Sequence, residues 1–500
     1  MKIGFINGKI YASFYPVRIY NSMVTEGDKI VFLGEDNEAK KISEKIVDLQ
    51  GKSVMPGFID AHMHLDELGQ YLNILDLRGI KSIKELKVLL MNYAKDHEGP
   101  IMGHGWDEEK FQEKRWPNKY DIDEIVKDRP VILTRVCLHA AVVNSNLIEK
   151  VNYHIENENY PFENGEPLGI VKEDAFEEYR KYYNLLVSAE TKKKYILDGI
   201  QYLKKNGITS IGFVSCSKET FDILKVLYNE SKIEIRIMIY TNPDALQDFK
   251  DNDLLKINGI KLFVDGALGV RTALLSEKYA DSNNIGEMVN DFDTLLKFSK
   301  LSEAKNKQIA VHAIGDKGID IVLDIFSKVK GNHRIEHCSI MRADQLERIR
   351  SLNVSCVVQP HFIITDFWSL DRVGVKRAPL VYRFKDMLSS GLNVAFSTDA
   401  PVEPINPWLT VYAAVTRGKY ENIELSKYTM NQALSISEAL FCYTNGSAIA
   451  LNNNEIGSLN INKFADFIIL DKDPFNIPEK DLKDIKILAT YISGKKVFES

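Results

Sequence analysis

The stretch Val54-Met55-Pro56-Gly57-Phe58-Ile59-Asp60-Ala61-His62-Met63-His64 decides the fold that the sequence predicts. It reads as a short apolar strand that ends in two histidines one residue apart. Side chains at positions i and i+2 of an extended strand project to the same face, so His62 and His64 are expected to point at one spot. Imidazole is the commonest protein ligand for metal ions, but such a pair also occurs among ordinary surface or core residues. The pair alone therefore leaves both interpretations open.

Seven further apolar, strand-like runs alternate with helix-like amphipathic segments along the middle of the chain. They cover residues 208–214, 233–240, 260–265, 309–312, 334–337, 354–359 and 394–399. Strands that alternate with helical patterns indicate a parallel sheet, and eight such units indicate a closed (β/α)8 barrel. The predicted fold class is therefore α/β, with a TIM barrel at its centre.

Both ends of the chain carry short strand-like runs, and each end has too few strands to close a core alone. We expect the ends to pair into one small β-sandwich domain, because the termini of a domain often lie close together. The predicted domains are a β-sandwich made of residues 1–54 and 453–500 and a barrel made of residues 55–452. Residues about 98–185 do not fit the barrel repeat and are interpreted as a large insertion after the first barrel strand.

Composition and charge restrict the classes of partner. Hydrophobic residues make up 45% of the 500 residues and charged residues 27%, which is typical of a soluble globular protein. A net charge of -6 argues against a nucleic-acid partner, and no apolar run approaches the roughly 18 residues of a membrane span. Five scattered cysteines without CxxC spacing and an early Asn7-Gly8 turn predict a cytoplasmic protein without a signal peptide. The sequence leaves homo-oligomerisation open.

Polar side chains of the metal-binding type end several predicted barrel strands. Catalytic groups of barrel enzymes lie at the carboxyl ends of the strands, so these side chains are expected to meet. They are His62 and His64 on the first strand, Lys261 on the fourth, His312 on the fifth, His337 on the sixth and Asp399 on the eighth. Any one of the histidines alone fits a structural role, but the set predicts one or two divalent metal ions. Zinc is the first expectation, with iron, manganese and nickel as alternatives.

Several motifs give the chain a resemblance to a known family. Residues 56–64 (Pro-Gly-Phe-Ile-Asp-Ala-His-Met-His), with His312, His337 and residues 397–401 (Ser-Thr-Asp-Ala-Pro), resemble the amidohydrolase superfamily. Further motifs resemble its amidohydrolase 3 (YtcJ-like) branch, which includes N-substituted formamide deformylase. They are residues 103–107, Thr134-Arg135 with His139 and Asn144, residues 261–267, residues 311–316 and residues 334–338. The resemblance covers essentially the whole chain.

The resemblance implies roles for the residues at the strand ends. His62 and His64 would bind the more buried metal ion, and His312 and His337 the more exposed one. Asp399 would ligate metal, take a proton from the nucleophilic water and pass it to the leaving nitrogen. The implied activity is that of a metal-dependent hydrolase that cleaves an amide, formamide or cyclic amide bond of a small molecule. Deamination or ester hydrolysis at the same site, and a non-catalytic metal-binding regulatory protein, are the alternatives.

The role of Lys261 depends most strongly on the resemblance. An ordinary lysine, with a pKa near ~10.4, is a cation and repels a metal ion. In related amidohydrolases the lysine at this position is carbamylated by CO2 and bridges two metal ions, and Glu173 in the insertion is the rival bridging group here. The candidates for substrate binding are Trp106, His139, Arg271 and His361.

Two neighbours of His337 are expected to have structural roles. Glu336 directly precedes His337, so strand alternation predicts that its side chain points to the opposite face. His333 is expected at the beginning of the same strand, away from the site.

Overall fold

The computed structural model describes residues 1–136, 140–151, 153 and 155–500. These residues form two compact units. The first comprises Met1–Leu68 and Leu197–Ser500, and the second comprises Gly69–Ile196. Within the described part of the chain, no helix combines the length and the apolar character needed to cross a membrane.

The described residues form strands and α-helices throughout both units. In chain order, the strands are β1 (Lys2–Ile6), β2 (Lys9–Phe14), β3 (Val17–Tyr20), β4 (Ser22–Glu26), β5 (Lys29–Gly34), β6 (Lys45–Asp48), β7 (Ser53–Pro56), β8 (Phe58–Met63), β9 (Leu75–Asp76), β10 (Ile101–Trp106), β11 (Val131–Arg135), β12 (Ala140–Val143), β13 (Phe162–Glu163), β14 (Glu166–Pro167), β15 (Ile170–Lys172), β16 (Ile208–Cys216), β17 (Arg236–Thr241), β18 (Leu255–Phe263), β19 (Gln308–Ala313), β20 (Arg334–His337), β21 (Ser355–Val358), β22 (Val394–Phe396), β23 (Phe467–Leu470), β24 (Ile487–Ile492) and β25 (Lys495–Glu499). The helices are α1 (Asp36–Ile42), α2 (Leu65–Asn73), α3 (Ile83–Lys95), α4 (Lys119–Asp123), α5 (Ser145–Ile148), α6 (Glu173–Leu186), α7 (Ala189–Lys205), α8 (Lys218–Asn229), α9 (Phe292–Ala304), α10 (Asp316–Phe326), α11 (Ala343–Ser351), α12 (Phe362–Thr365), α13 (Ser369–Arg377), α14 (Phe384–Ser389), α15 (Pro407–Thr416), α16 (Ser426–Thr429), α17 (Ile436–Phe441) and α18 (Ser447–Ala450).

Eight parallel strands of the first unit form the barrel sheet, in the order β8-β16-β17-β18-β19-β20-β21-β22. The last strand returns to the first: the Asp399 amide donates to the His62 carbonyl at 2.9 Å, and the His64 amide donates to the Ala400 carbonyl at 2.9 Å. These strands correspond one by one to the runs found in the sequence. The predicted α/β fold with a TIM barrel is therefore confirmed.

The barrel strands are apolar because both of their faces are covered. Eight of the nine residues of β16 are buried, and β21 and β22 are buried throughout. The surrounding helices bury only one face; α8, for example, buries Phe221, Leu224 and Leu227, which recur at a helical spacing. The Ser217 side chain caps α8 by accepting the Thr220 amide.

Strands from both ends of the chain share one sheet beside the barrel. This six-stranded sheet has the order β25-β24-β23-β7-β2-β3, and a four-stranded sheet has the order β5-β4-β1-β6. Their shared core contains Phe5, Phe467 and Tyr491, and the rings of Phe467 and Tyr491 stack at 4.4 Å. Because β7 leads directly into β8, this sheet fixes the start of the first barrel strand. The domain boundaries given by the sequence stay predictions.

The second unit is built on a five-stranded sheet in the order β15-β12-β11-β10-β9. Its core includes Trp106, whose indole donates to the Leu133 carbonyl at 2.7 Å. The buried Asn144 side chain accepts the Val131 amide at 3.0 Å and donates to the Arg129 carbonyl at 2.8 Å. The polar groups of both side chains are therefore paired with the backbone.

Candidate metal centre

Four side chains of the first unit bring possible metal-ligating atoms together. Asp399 Oδ1 lies 3.2 Å from His62 Nε2 and 3.2 Å from His64 Nε2. The ligand atoms of His62, His337 and Asp399 all lie within 4.8 Å of one another. These residues lie at the carboxyl ends of the first and sixth barrel strands or just after the first and eighth, so the closed barrel produces the cluster.

His337 connects this cluster to His312. The ring centroids of His337 and His62 are 5.1 Å apart, and those of His337 and His312 are 4.3 Å apart. The histidines and the aspartate that the sequence predicts as ligands are thus contiguous. His337 lies against both His62 and His312, which makes it the central member of the row.

Asp399 Oδ1 is a buried oxygen without a hydrogen-bond partner among the described residues. Buried polar atoms are normally paired, so an unpaired carboxylate oxygen facing two imidazole nitrogens requires an explanation. Burial alone would raise the pKa of Asp399, and positive charge on the adjacent His62 and His64 would hold this pKa well below its ordinary value. An ionised oxygen that converges with imidazole nitrogens is the donor set of a divalent metal ion of the zinc type.

The hydrogen bonds behind the histidines leave one ring nitrogen of each available. His62 Nδ1 donates to Glu336 at 2.5 Å, and His337 Nδ1 donates to the Gln359 side-chain oxygen at 2.9 Å. Both residues therefore keep Nε2 free as an acceptor. His312 Nε2 donates to the Gly266 carbonyl at 3.1 Å, which leaves Nδ1 free. Such outer partners fix the tautomer and orientation of metal-binding histidines.

The environment of the site keeps two of the imidazoles neutral. Burial, followed by the charge of Lys261, lowers the pKa of His312 to about 3. Burial and the neighbouring His312 lower the pKa of His337 well below its ordinary value. Only the neutral imidazole offers a lone pair to a metal ion, so both residues can bind one throughout the neutral pH range.

Glu336 lies directly behind His62, in a buried ion pair. Arg334 donates to it through Nε at 2.5 Å and through Nη2 at 2.8 Å, and Nη2 also donates to the Ala61 carbonyl at 2.7 Å. Although burial would raise the pKa of Glu336, the charge of Arg334 holds it well below its ordinary value. Glu336 is therefore ionised beside His62.

Strand alternation predicted Glu336 on the face opposite His337, yet both side chains reach the site. His337 has φ 75° and the next residue, Cys338, has φ 49°. This left-handed backbone ends β20 and breaks the alternation, so successive side chains no longer point to opposite faces. The expectation failed because it assumed extended backbone up to the last residue of the strand.

Asp60 fixes the junction between the first and eighth strands. Its carboxyl group accepts the Thr398 amide at 3.2 Å and the Thr398 hydroxyl at 2.7 Å. Complete burial raises the pKa of Asp60 to about 7. Since His62 and Asp399 are close neighbours of these two residues in the sequence, the bond holds both of them in place.

Lys261 is buried at the same rim. Its Nζ lies 4.4 Å from the ring centroid of Phe263, and Phe263 in turn packs against His312 at 5.4 Å. Burial lowers the pKa of Lys261 to about 8, against the opposing effect of Glu336 and Asp399. The lysine therefore lies within electrostatic reach of the cluster, and its carbamylation stays a prediction.

The residues predicted to bind substrate are found in different surroundings. Arg271 forms a bidentate pair with Asp281, at 3.0 and 2.8 Å, and His361 pairs with Glu403. Trp106 belongs to the core of the second unit, where Glu173 begins α6. His139 lies outside the described residues. These roles stay predictions.

Several residues that the structure places behind the cluster were missed from the sequence as site residues. They are Asp60, Glu336 and Gln359. Polar side chains at alternate positions of otherwise apolar strands were the available signal: Asp60 precedes His62 by two, and Arg334 precedes Glu336 by two. Such pairs on a fully buried strand indicate a polar network inside the barrel.

Comparison with known proteins agrees with this geometry. A model of the amidohydrolase family matches residues 45–498. The YtcJ protein of Bacillus subtilis (strain 168) is 30% identical over 91% of this chain and 90% of its own length. N-substituted formamide deformylase of Arthrobacter pascens is 23% identical, with 96% of this chain and 95% of that protein covered. The crystal structure of an uncharacterized metal-dependent hydrolase from Pyrococcus horikoshii is 40% identical with a TM-score of 0.89, covering 96% of this chain and 99% of that one.

Proposed function

This chain belongs to the amidohydrolase family and is a metal-dependent hydrolase, and we propose that it cleaves a C–N bond, other than a peptide bond, in a small molecule. The proposed bond is an amide, formamide or cyclic amide. The observation that carries the proposal is Asp399 Oδ1, a buried oxygen that faces His62 and His64 at 3.2 Å without a hydrogen-bond partner among the described residues. The name of the Arthrobacter relative supports a C–N bond as the target.

The residues of the cluster would act as metal ligands, and one of them, Asp399, would also transfer the proton. His62, His64, His312 and His337 would hold the metal with Asp399. When bound, a divalent ion supplies Lewis acidity, which makes water nucleophilic near neutral pH and polarises a carbonyl group. The Asp399 carboxylate accepts the proton of the attacking water and returns it to the leaving nitrogen as the C–N bond breaks.

We propose zinc as the resident ion, bound as one or two ions. Imidazole nitrogens with a carboxylate oxygen are a zinc-type donor set. Lys261 would add a carbamate as a bridging ligand. The neutral amine is the form that reacts with CO2, and a pKa of about 8 gives Lys261 more of that form than an exposed lysine has.

The test compares the metal-loaded wild type with Asp399→Asn on formamides, open-chain amides, cyclic amides, esters and aminoheterocycles. We expect the wild type to hydrolyse members of the first three classes and the variant to lose about 10²- to 10⁴-fold in kcat. Asp324→Asn is the matched control and should remain active. Asp324 lies on the outer helix α10, and the substitution removes its exposed ion pair with Arg348 on α11. Metal content is measured for every protein.

Three results would contradict the proposal. Equal rates of the wild type and Asp399→Asn would remove the proton-transfer role. Turnover confined to esters would make the enzyme an esterase, and ammonia release confined to aminoheterocycles would make it a deaminase.

A further inference from the structure

A second carboxylate–imidazole pair lies at the same rim of the barrel. His361 follows β21 and donates Nδ1–H to Glu403, which follows β22. Glu403 also accepts the Thr365 hydroxyl. Neither residue is used by the metal cluster or by the proton transfer described above, so the pair requires its own explanation.

The sequence positions of the pair place it beside the metal centre. His361 comes two residues after Gln359, which accepts the Nδ1 proton of His337. Two residues of extended chain span at most about 7 Å between Cα atoms. Glu403 comes four residues after Asp399 in the loop that follows the eighth strand. His361 thus closely follows a residue that contacts the cluster, and Glu403 closely follows Asp399, which belongs to it.

The two members of the pair differ in exposure. The Glu403 side chain is 3% exposed, whereas that of His361 is 12% exposed. No hydrogen-bond partner of His361 Nε2 is found in the part of the chain that the structure describes. The carboxylate is therefore a buried support, and the imidazole retains an open edge.

The partner of Nδ1 determines what the open edge can do. A carboxylate can only accept, so Nδ1 carries the proton, and Nε2 of the neutral ring is an acceptor. His62 and Glu336 repeat this arrangement, with Nδ1 donated to a buried carboxylate and Nε2 directed at Asp399. In both cases a buried carboxylate fixes which ring nitrogen is free to meet a ligand.

We propose that His361 contacts the substrate and accepts a hydrogen bond from the N–H group of its scissile bond through Nε2. Glu403 is the positioning residue that holds the ring in this orientation. The inference rests on the proposed function, because it assigns the N–H to a substrate with a C–N bond. It names the substrate class more narrowly: secondary amides or formamides are preferred over compounds whose nitrogen carries no hydrogen.

The experiment uses a matched pair of probes, N-butylformamide and N-butyl-N-methylformamide, with the metal-loaded full chain. Their ratio of kcat/KM isolates the N–H group, because a site that hydrogen-bonds this group discriminates against a compound that lacks it. We expect the wild type to prefer the N–H compound by about 10-fold or more, and His361→Leu to bring the ratio close to one. His361→Gln keeps an acceptor near the position of Nε2 and should restore part of the preference.

Glu403 is tested by a double-mutant cycle. Glu403→Gln should lower the ratio, but should have little further effect when His361→Leu is already present, because a positioning residue acts only through its partner. Asp324→Asn is again the control, because it removes only an exposed ion pair with Arg348 and leaves the His361–Glu403 pair intact. Its ratio should equal that of the wild type.

Folding and metal binding are checked by the melting temperature and the metal content of each variant. An unchanged ratio in folded, metal-loaded His361→Leu would overturn the proposal, as would loss of metal in that variant, which would make His361 a ligand. Should the wild type hydrolyse neither probe, the proposed function fails for formamides, and calorimetric binding of the two probes decides the inference. Tighter binding of the N–H compound that His361→Leu abolishes would support it; equal or undetectable binding would overturn it.

Discussion

Two buried arginine–carboxylate pairs in the first unit have the same chemistry but different surroundings. Arg236 on β17 donates to Asp466 at 2.6 and 3.0 Å, and its remaining donors meet the Asp253 carbonyl at 3.0 Å and the Ser493 hydroxyl at 2.8 Å. Arg334 on β20 pairs equally closely with Glu336. Every nitrogen of Arg236 has a partner, so this pair is complete within itself.

The second pair, Arg334–Glu336, is not complete within itself, and we call it the open pair. Arg334 Nη1 has no hydrogen-bond partner among the described residues, and Glu336 also accepts from His62. The chemistry of a buried ion pair therefore does not by itself make the pair functional. The two pairs differ in their third partner, which is the Ser493 hydroxyl for the first and the imidazole of His62, a candidate metal ligand, for the second. Substitutions should therefore affect stability at the first pair, and both stability and metal affinity at the second.

The largest effect is expected from Asp466→Asn. Removing the charge leaves Arg236 buried without a counterion, which costs about 3–5 kcal/mol of unfolding free energy. The metal affinity should not change, because no hydrogen bond among the described residues links this pair to the cluster. Urea denaturation and a zinc titration measure the two quantities. A clear loss of zinc affinity in the folded variant would show that the pairs are not separate in function.

A smaller loss of stability is expected from protonation of His333, the residue that immediately precedes β20. Burial lowers the pKa of His333 to about 4. The unfolded chain therefore takes up a proton near pH 6.5 that the folded chain takes up only near pH 4. The contribution of neutral His333 to the free energy of unfolding is fully present above pH 6.5. It is lost as the pH falls toward 4, which lowers the free energy of unfolding by up to about 3 kcal/mol.

The check on His333 is urea denaturation of the metal-free protein at pH 7 and pH 4.5. The wild type should lose more stability between these values than His333→Gln, which cannot titrate. Parallel losses in the two proteins would mean that other groups dominate the acid sensitivity. The metal-free form is used because protonation of the ligands would otherwise add a metal-dependent loss.

Glu336→Gln tests the open pair directly. Glutamine keeps the shape of the side chain but removes the charge that His62 Nδ1 meets, so zinc affinity should fall by about 10- to 100-fold. The variant should also be less stable, because Arg334 loses its counterion. Asp466→Asn is the matched control, with a comparable loss of stability and unchanged affinity. Loss of stability alone in Glu336→Gln would make both pairs structural.

The sequence predicted the barrel more completely than the hydrogen-bond partners of the candidate site. Alternation of apolar runs and helices was sufficient for the barrel, since parallel strands buried on both faces leave a strong signal. The candidate ligands were predicted from the strand ends, because a closed barrel brings all of its carboxyl strand ends to one rim. Glu336 was assigned to the wrong face, since its position depends on a left-handed residue, His337, that no strand pattern reveals. His361 was predicted to bind substrate and that role stays a prediction; its partner Glu403 lies 42 residues away and could not be paired with it without coordinates.

The smallest effect is expected at Gln359, which supports His337 as Glu336 supports His62. Its side-chain oxygen accepts from His337 Nδ1 at 2.9 Å, and its amide donates to the Ser397 hydroxyl at 2.8 Å. A hydrogen bond to a neutral acceptor is weaker than one to a carboxylate, so Gln359→Met should lower zinc affinity by less than about 10-fold. Ser397→Ala keeps the bond to His337 and is the matched control. If the buried charge is what matters, Gln359→Met lowers the zinc affinity less than Glu336→Gln does. Equal losses would mean that the Arg334–Glu336 pair raises the zinc affinity by orienting the imidazole and not through its charge.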